Sequence, residues 1–290
     1  MQSTSAGSCS SRTTASTSRE RPTEGWRVSE VPLVGGDVNV GENVVVRVGD
    51  TVRRPPGPHT AAVHALLGHF ERVGFDGTPR ARGFDQRGRE ILSFVDGEPA
   101  LPPVPPGDEV VAALGTLLRR MHDAQAGFVA PEPSHWHGGP LRPPPPGEVI
   151  CHNDVFPPNV VLRDGLPVAL IDWDLAAPGP RLYDVASAAN FWAPLAHEER
   201  AAAFGLTNDR AGERLRILCD AYGLERDERV RLLDVVAHRN EMGHEIHRLW
   251  GGVERRPGWR EMWERGSGEE IRRRAAWFEA RRGDLLAFLR

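Results

Sequence analysis

Between Trp26 and about Asp96, apolar and polar positions alternate in short Val-rich runs, VPLVGGDVN, NVVVRVGDTVRR and EILSFVDG, each broken by Gly or Asp. Such runs predict the strands of a small sheet. Between the second and third, HTAAVHALLGHFERVGF carries Val63, Leu66, Leu67 and Phe70 at spacings of three and four. That spacing predicts one amphipathic helix packed on the sheet. After Gly97 the chain turns Pro-rich (ALPPVPPGD) and then helical (EVVAALGTLLRRMHDAQ), so the composition shift predicts a hinge there between two lobes.

The second lobe continues through PLRPPPPGE, a loop, into EVICHNDVFPPNVVLRDGLPVALIDWD, two short apolar strands around an Arg-Asp-Gly turn. Beyond Pro180 the pattern is helical. One helix is predicted from about Asp227 to Trp250, with Val235, Met242, Ile246 and Leu249 as its core stripe and Gly251-Gly252 as its stop, and a last helix from about Glu269. Residues 1–24 are Ser/Thr-rich without periodicity and predict a disordered tail. The organisation expected is therefore a tail over 1–24, a smaller lobe over 25–96 and a larger one over 97–290.

A chain of 290 residues can bury a core in each lobe, and it holds no apolar run long enough to span a bilayer. Net charge is −4 and the isoelectric point about 6.3, which gives no overall basic field for nucleic acid or acidic lipid. The expectation is a cytoplasmic protein, monomer or homodimer, without a nucleic-acid or membrane partner. Cys9, Cys151 and Cys219 are odd in number and far apart, which suits reduced thiols. All 36 basic residues are Arg, so chemistry that needs an ε-amine is excluded, the phosphate-binding GxxxxGK[ST] loop included.

The chemistry-bearing stretch runs from Cys151 to Asp184. Asp154 follows one short strand and precedes Asn159 by five residues; Asp172 ends the next strand. A hairpin brings the three together. Two carboxylates and an amide carbonyl form an oxygen site that suits Mg²⁺ better than Zn²⁺. Mg²⁺ usually acts beside a nucleotide phosphate, and phosphoryl transfer asks for a carboxylate to take the hydroxyl proton and for groups that hold the metal.

CHNDVFPPNVVL followed by ALIDWDLAAPGPRLYDVA resembles the aminoglycoside phosphotransferase and choline kinase family, whose segments read H-G-D-x-x-x-x-N and I-D-W/F. The resemblance covers about residues 31–195 and implies an α+β, bilobal protein-kinase-like fold: a small lobe of antiparallel sheet plus one helix and a larger, mainly helical lobe. It implies Asp154 as catalytic base, Asn159 and Asp172 as Mg²⁺ ligands, and His152 as a packing residue of the loop. Gly35 and Gly36 of GGDVN resemble the loop over the nucleotide phosphates. Arg53 of TVRRPPGP matches the phosphate-gripping cation of the third strand, with Arg54 in its place if the register slips by one. In EILSFVDG, Leu92 would line the base pocket while the Ser93 carbonyl and the Val95 N–H meet the adenine edge. The sequence departs from the pattern where a helix acid should pair with the strand cation: His64 stands near that place. It departs again at Asn153, where the family often has Gly.

The activity implied is transfer of the γ-phosphate of ATP or GTP, with Mg²⁺, to a hydroxyl of a small molecule such as an aminoglycoside-like antibiotic or another hydroxylated metabolite. The alternative is a nucleotide-binding, degenerate kinase-like protein without turnover. His238, Glu241 and Glu245 share one face of the long helix and would suit a cationic acceptor, or form an ordinary solvated charge face. In the HEIH run at His244–His247 the spacing is not that of HExxH, and surface histidines are expected. Asp184, at a helix start, is expected to act by capping and dipole interaction.

Overall fold

The computed structural model describes residues 29–33, 45–104, 107–136 and 148–290. The Ser/Thr-rich tail, Gly35, Gly36 and the PLRPPPPGE loop up to residue 147 lie outside them. Five strands, β1 (Glu30–Pro32), β2 (Val46–Val48), β3 (Thr51–Arg54), β4 (Ala81–Phe84) and β5 (Glu90–Ser93), form one antiparallel sheet in the order β1-β2-β3-β5-β4. The helix α1 (Thr60–Arg72) sits between β3 and β4 in the chain and buries Val63, Leu66, Leu67 and Phe70, the predicted stripe. Strand β4 went unpredicted because ARGF has no apolar alternation and is mostly exposed.

The register of β3 on β5 decides which arginine faces inward. Arg54 stands opposite Glu90 and Arg53 opposite Ile91. Neighbouring side chains of a strand point to opposite faces, so only one of the two can enter the cleft. Arg54 does, at 7% exposure.

After β5 the chain passes Gly97 into β6 (Glu98–Pro99), which pairs with β8 (Val160–Arg163); β8 in turn pairs with β9 (Leu166–Leu170). Gly97 is required there: its φ is 135°, and a Cβ would lie 2.4 Å from the Leu162 carbonyl oxygen. Strand β7 (Val149–Cys151) pairs with β10 (Ala177–Gly179). The helices around these hairpins are α2 (Asp108–Asp123), α3 (Leu182–Trp192), α4 (Glu198–Ala202), α5 (Ala211–Tyr222), α6 (Arg226–Ile246), α7 (Trp259–Glu264) and α8 (Ser267–Leu289). Helix α2 buries Val110, Val111, Leu114, Leu117, Leu118 and Met121 on one face, each side chain contributing about 1.5–3 kcal/mol of transfer free energy. One buried cluster runs without a break from α1 to α8, so the sheet and the helical part share a core.

Two sequence expectations are corrected on α6. Its buried residues are Leu232, Leu233, Val236 and Asn240, while Val235, Met242, Ile246 and Leu249 are only partly covered. The buried apolar stripe is Leu232, Leu233 and Val236, and it ends in the polar Asn240, which hydrophobic periodicity does not see. Nor do Gly251 and Gly252 stop the helix. They lie in a π-helical turn, His247–Val253, where a Cβ at Gly251 would come 2.4 Å from the Trp259 carbonyl oxygen. Their small size serves close approach to α7.

Candidate active site

Strand β7 is fixed from both sides, by β10 and by Gln125, whose amide donates to the Ile150 carbonyl and accepts from the Ile150 N–H. It delivers His152–Asn159 into the cleft. The loop is held by its backbone: the N–H groups of His152 and Asn153 donate to the two oxygens of Asp184 at 2.8 and 2.7 Å. Asp184 is fully buried and also contacts His122 Nε2 at 3.0 Å. Burial alone would favour its neutral form, but the hydrogen bond from His122, helped by His152 and the Asn153 N–H, holds its carboxyl below the usual carboxylate range. Its work is thus on the loop rather than on its own helix start, a correction to the capping expectation. Asn153 takes φ of 66°, a left-handed conformation that Asn tolerates.

His152 Nδ1 accepts from the Asp154 N–H at 3.3 Å and Nε2 donates to the Ile171 carbonyl at 2.9 Å. Both ring nitrogens are therefore used in bracing the loop, and burial pushes the imidazole pKa down. The ring stands edge-on to Trp173 at 4.7 Å.

Within the loop, Asn159 Nδ2 donates to Asp154 Oδ2 at 2.8 Å and to the Asp154 carbonyl at 3.2 Å. The Asn159 carbonyl accepts from the Ile171 N–H at 2.9 Å, which joins the residue before Asp172 to the same loop. The structure thus brings Asp154, Asn159 and Asp172 to one place. Burial, reinforced by the charge of Asp172, pushes the Asp154 carboxyl up to about 7, against the lowering effect of Arg239 and Asn159. A carboxylate tuned to that range can accept a proton at neutral pH.

The cation of this site is Arg54. Its guanidinium meets Asp172 Oδ1 at 3.1 Å, Glu90 Oε1 at 3.1 Å and Asp174 Oδ2. Arg53, the expected residue, instead lies on the other face of β3 with Nε 3.9 Å from Asp85. The acid missing from the helix stands on β5: Glu90 pairs with Arg54 through one oxygen and with His64 Nε2 of α1, at 2.9 Å, through the other. His59 Nε2 adds a contact to Asp174 at 3.1 Å.

Three carboxylates around one guanidinium leave an excess of negative charge. Asn159 uses its Nδ2 on Asp154, which leaves its amide oxygen as a donor atom, and Asp172 keeps 30% of its side chain exposed. An oxygen-only set with surplus negative charge fits Mg²⁺, and the Arg54 guanidinium on Asp172 and Asp174 shows that this carboxylate pair attracts a cation.

The other expected residues lie as follows. Ser93 accepts the Arg80 N–H on its hydroxyl and gives its own N–H to the Arg80 carbonyl. Leu92 is partly buried against the core, and Val95 lines a cavity of about 430 Å³ with Thr116, Leu117 and Ala169. On α6 the residue that reaches the loop is Arg239, which donates to the Asn153 carbonyl at 2.6 Å and to Asn153 Oδ1 at 3.1 Å. At about 100° per residue, His238, Glu241 and Glu245 come about 260°, 200° and 240° round from it, away from the loop. His238 sits against the Tyr183 ring, and both oxygens of Glu245 are taken by Arg248. The histidines of HEIH are half-buried rather than on the surface: His247 Nδ1 bonds Ser267 Oγ at 2.8 Å, and His244 packs near Trp263. Among the described residues no group of three His, Cys, Asp or Glu is arranged to hold a metal. Arg239 and Glu90 carry no local motif; only the fold shows them.

The sequence pattern of the phosphotransferase enzyme family matches residues 139–218, which enclose the loop and the hairpin. The trifolitoxin immunity protein of Rhizobium leguminosarum bv. trifolii is 40% identical over 209 residues, 71% of this chain and 78% of that one. Among solved structures, a choline/ethanolamine kinase family protein from Mesorhizobium loti is similar over 92% of this chain and 94% of its own, with a TM-score of 0.51 at 16% identity. An aminoglycoside 2'-phosphotransferase-IIIa, solved as its GDP complex, is similar over 86% and 92%, with a TM-score of 0.54 at 15% identity. At such identities the two structures bear on the fold, which is protein-kinase-like. No described helix is long and apolar enough to cross a membrane.

Proposed function

This chain belongs to the phosphotransferase enzyme family, and from that premise we propose that it transfers the γ-phosphate of ATP or GTP, with Mg²⁺, to a hydroxyl of a small molecule. The observation that carries the reading is the junction of Asp154, Asn159 and Asp172 in one braced hairpin. Asp154 orients the acceptor hydroxyl and takes its proton as the acceptor oxygen bonds to the γ-phosphorus; the bond from that phosphorus to the bridging oxygen breaks, and the nucleoside diphosphate leaves. Asn159 and Asp172 would hold the metal, which when bound neutralises charge on the phosphates. Arg54 steadies the phosphates that are not transferred, with Glu90 and His64 fixing its direction.

The binding-only alternative was motivated by the absent lysine and helix acid. Arg54 and Glu90 supply both functions, so nothing in the site favours it. A relative named for immunity to trifolitoxin supports an antibiotic-like acceptor. The test is product formation over a panel of hydroxylated compounds. Asp154→Asn should lower the rate about 10²- to 10⁴-fold while nucleotide still binds, as removal of a general base does. Asp172→Ala should also raise the Mg²⁺ concentration needed for half-maximal rate. If both variants matched the parent, the reading would fail.

A further inference from the structure

Two residues after Asp154, the loop carries Phe156. Its ring meets Phe191 at the end of α3 edge-on at 4.9 Å, and Phe204 at 5.7 Å. Two guanidiniums flank that aromatic wall: Arg274 of α8, 5.7 Å from the Phe191 ring centre, and Arg200 of α4, 5.9 Å from it. A third, Arg239, closes the side against the loop. Among the described residues the only carboxylate within ion-pair distance of these three is Glu270, 3.6 Å from Arg200 and shared with His197 Nε2 at 2.9 Å.

Arg274 is the costly member. It is 9% exposed, and its Nε donates to Asn240 Oδ1 at 3.0 Å. A buried guanidinium without a counter-ion is strongly unfavourable, and folded chains keep such groups where a ligand compensates them. Burial, then the charge of Arg200, pushes Arg274 down to about 10, and burial likewise lowers His247 to about 4 and His244 below the usual imidazole range. Nearby, Asn240 Nδ2, His244 Nε2 and Glu270 Oε1 are buried without a hydrogen bond. Arg200 and Glu270 each keep 30% of their side chains exposed, so the cluster opens to solvent.

We propose that the acceptor carries an oxyanion, a carboxylate or a phosphate ester, bound by Arg274 and Arg200 across the Phe191 ring while its hydroxyl meets Asp154. This rests on the phosphotransferase reading and adds the charge of the substrate to it. A guanidinium fork matches the two oxygens of either group. A cationic acceptor would need acids here, and Glu241 and Glu245 are on the far side of α6.

The experiment uses the full chain loaded with MgADP and the matched compounds glycerol, serinol, glycerate and glycerol 3-phosphate, with melting temperature as the readout. Glycerate or glycerol 3-phosphate should raise the melting temperature in proportion to occupancy, the stronger of the two naming the oxyanion, and serinol should not. Arg274→Met should weaken the anion effect roughly 10- to 100-fold, as loss of a charge-assisted pair does, while Arg274→Lys, which keeps the charge but not the fork, should retain part of it. The two variants disturb packing alike, so a folding defect would appear in both; Arg200→Met, at a partly exposed position, gives the same charge loss if Arg274 variants do not fold. Equal stabilisation by serinol, no stabilisation by either anion, or an unchanged response in both Met variants would overturn the proposal. Fast ADP release with a cationic acceptor, lost in Asp154→Asn, would overturn it too while leaving the phosphotransferase reading intact.

Discussion

One guanidinium stands among three carboxylates at β3, whereas three guanidiniums, on α4, α6 and α8, have a single carboxylate near them. Arg54 faces Glu90, Asp172 and Asp174, whereas Glu270 pairs with Arg200 and acts on Arg274 only as a nearby charge, and Arg239 reaches the loop at Asn153. Each cluster is left with charge that the protein alone does not balance. The first suits a metal ion and the second an anionic group, and burial pushes the Asp154 carboxyl up to about 7. The difference teaches that the sign of uncompensated charge, rather than the count of charged residues on a helix, tells which ligand a wall of the cleft receives.

The largest way to break the comparison is to release the loop that separates the clusters. Asp184 takes both backbone N–H groups of His152 and Asn153 inside the core. Asp184→Ala should cost about 3–5 kcal/mol in denaturant unfolding, because it strands three buried donors. A loss under 1 kcal/mol would show that the loop is held elsewhere.

A sharper probe moves one charge. Glu90→Gln should raise the nucleotide KM roughly 10- to 100-fold with a smaller change in kcat, since Arg54 loses its orienting partner. Adding His64→Glu puts a carboxylate back within reach from α1 and should recover much of the loss. Failure of that rescue would mean that Glu90 serves packing alone.

The smallest effect concerns His247, beside Arg274. Burial first, then Arg274, His244 and Arg200, lowers its pKa to about 4. Its unfolded value is about 6.5, so between those pH values only the unfolded chain binds the proton, and stability falls as the pH falls through that window. His247→Gln should flatten this acid limb by up to about 1 kcal/mol per pH unit, allowing for partial exposure. Unfolding curves at pH 7 and pH 5 that change equally in parent and variant would contradict the placement.

The parts of this arrangement legible in the sequence are those with short-range patterns. The spacing of Val63, Leu66, Leu67 and Phe70 gives α1. The loop from His152 to Asn159 and the strand end at Asp172 are adjacent in sequence and closed by one hairpin, so their meeting follows from local turn chemistry. What escaped is what strand register and long-range packing decide. A slip of one position exchanges Arg53 for Arg54. Glu90 and Asp184 look like a strand residue and a helix-start acid until the fold sets them against Arg54 and the loop. On α6 the residues that reach the loop and α8, Arg239 and Asn240, are polar, so the stripe of Val235, Met242, Ile246 and Leu249 did not reveal them.

In the proposed reaction Asp154 receives the proton of the acceptor hydroxyl. The direct test is a single-turnover assay with γ-labelled ATP and an accepted substrate, comparing the parent with Asp154→Asn at saturating nucleotide. The account predicts that nucleotide binding is kept while label transfer to the acceptor slows about 10²- to 10⁴-fold. Transfer at the parent rate in the variant would contradict it.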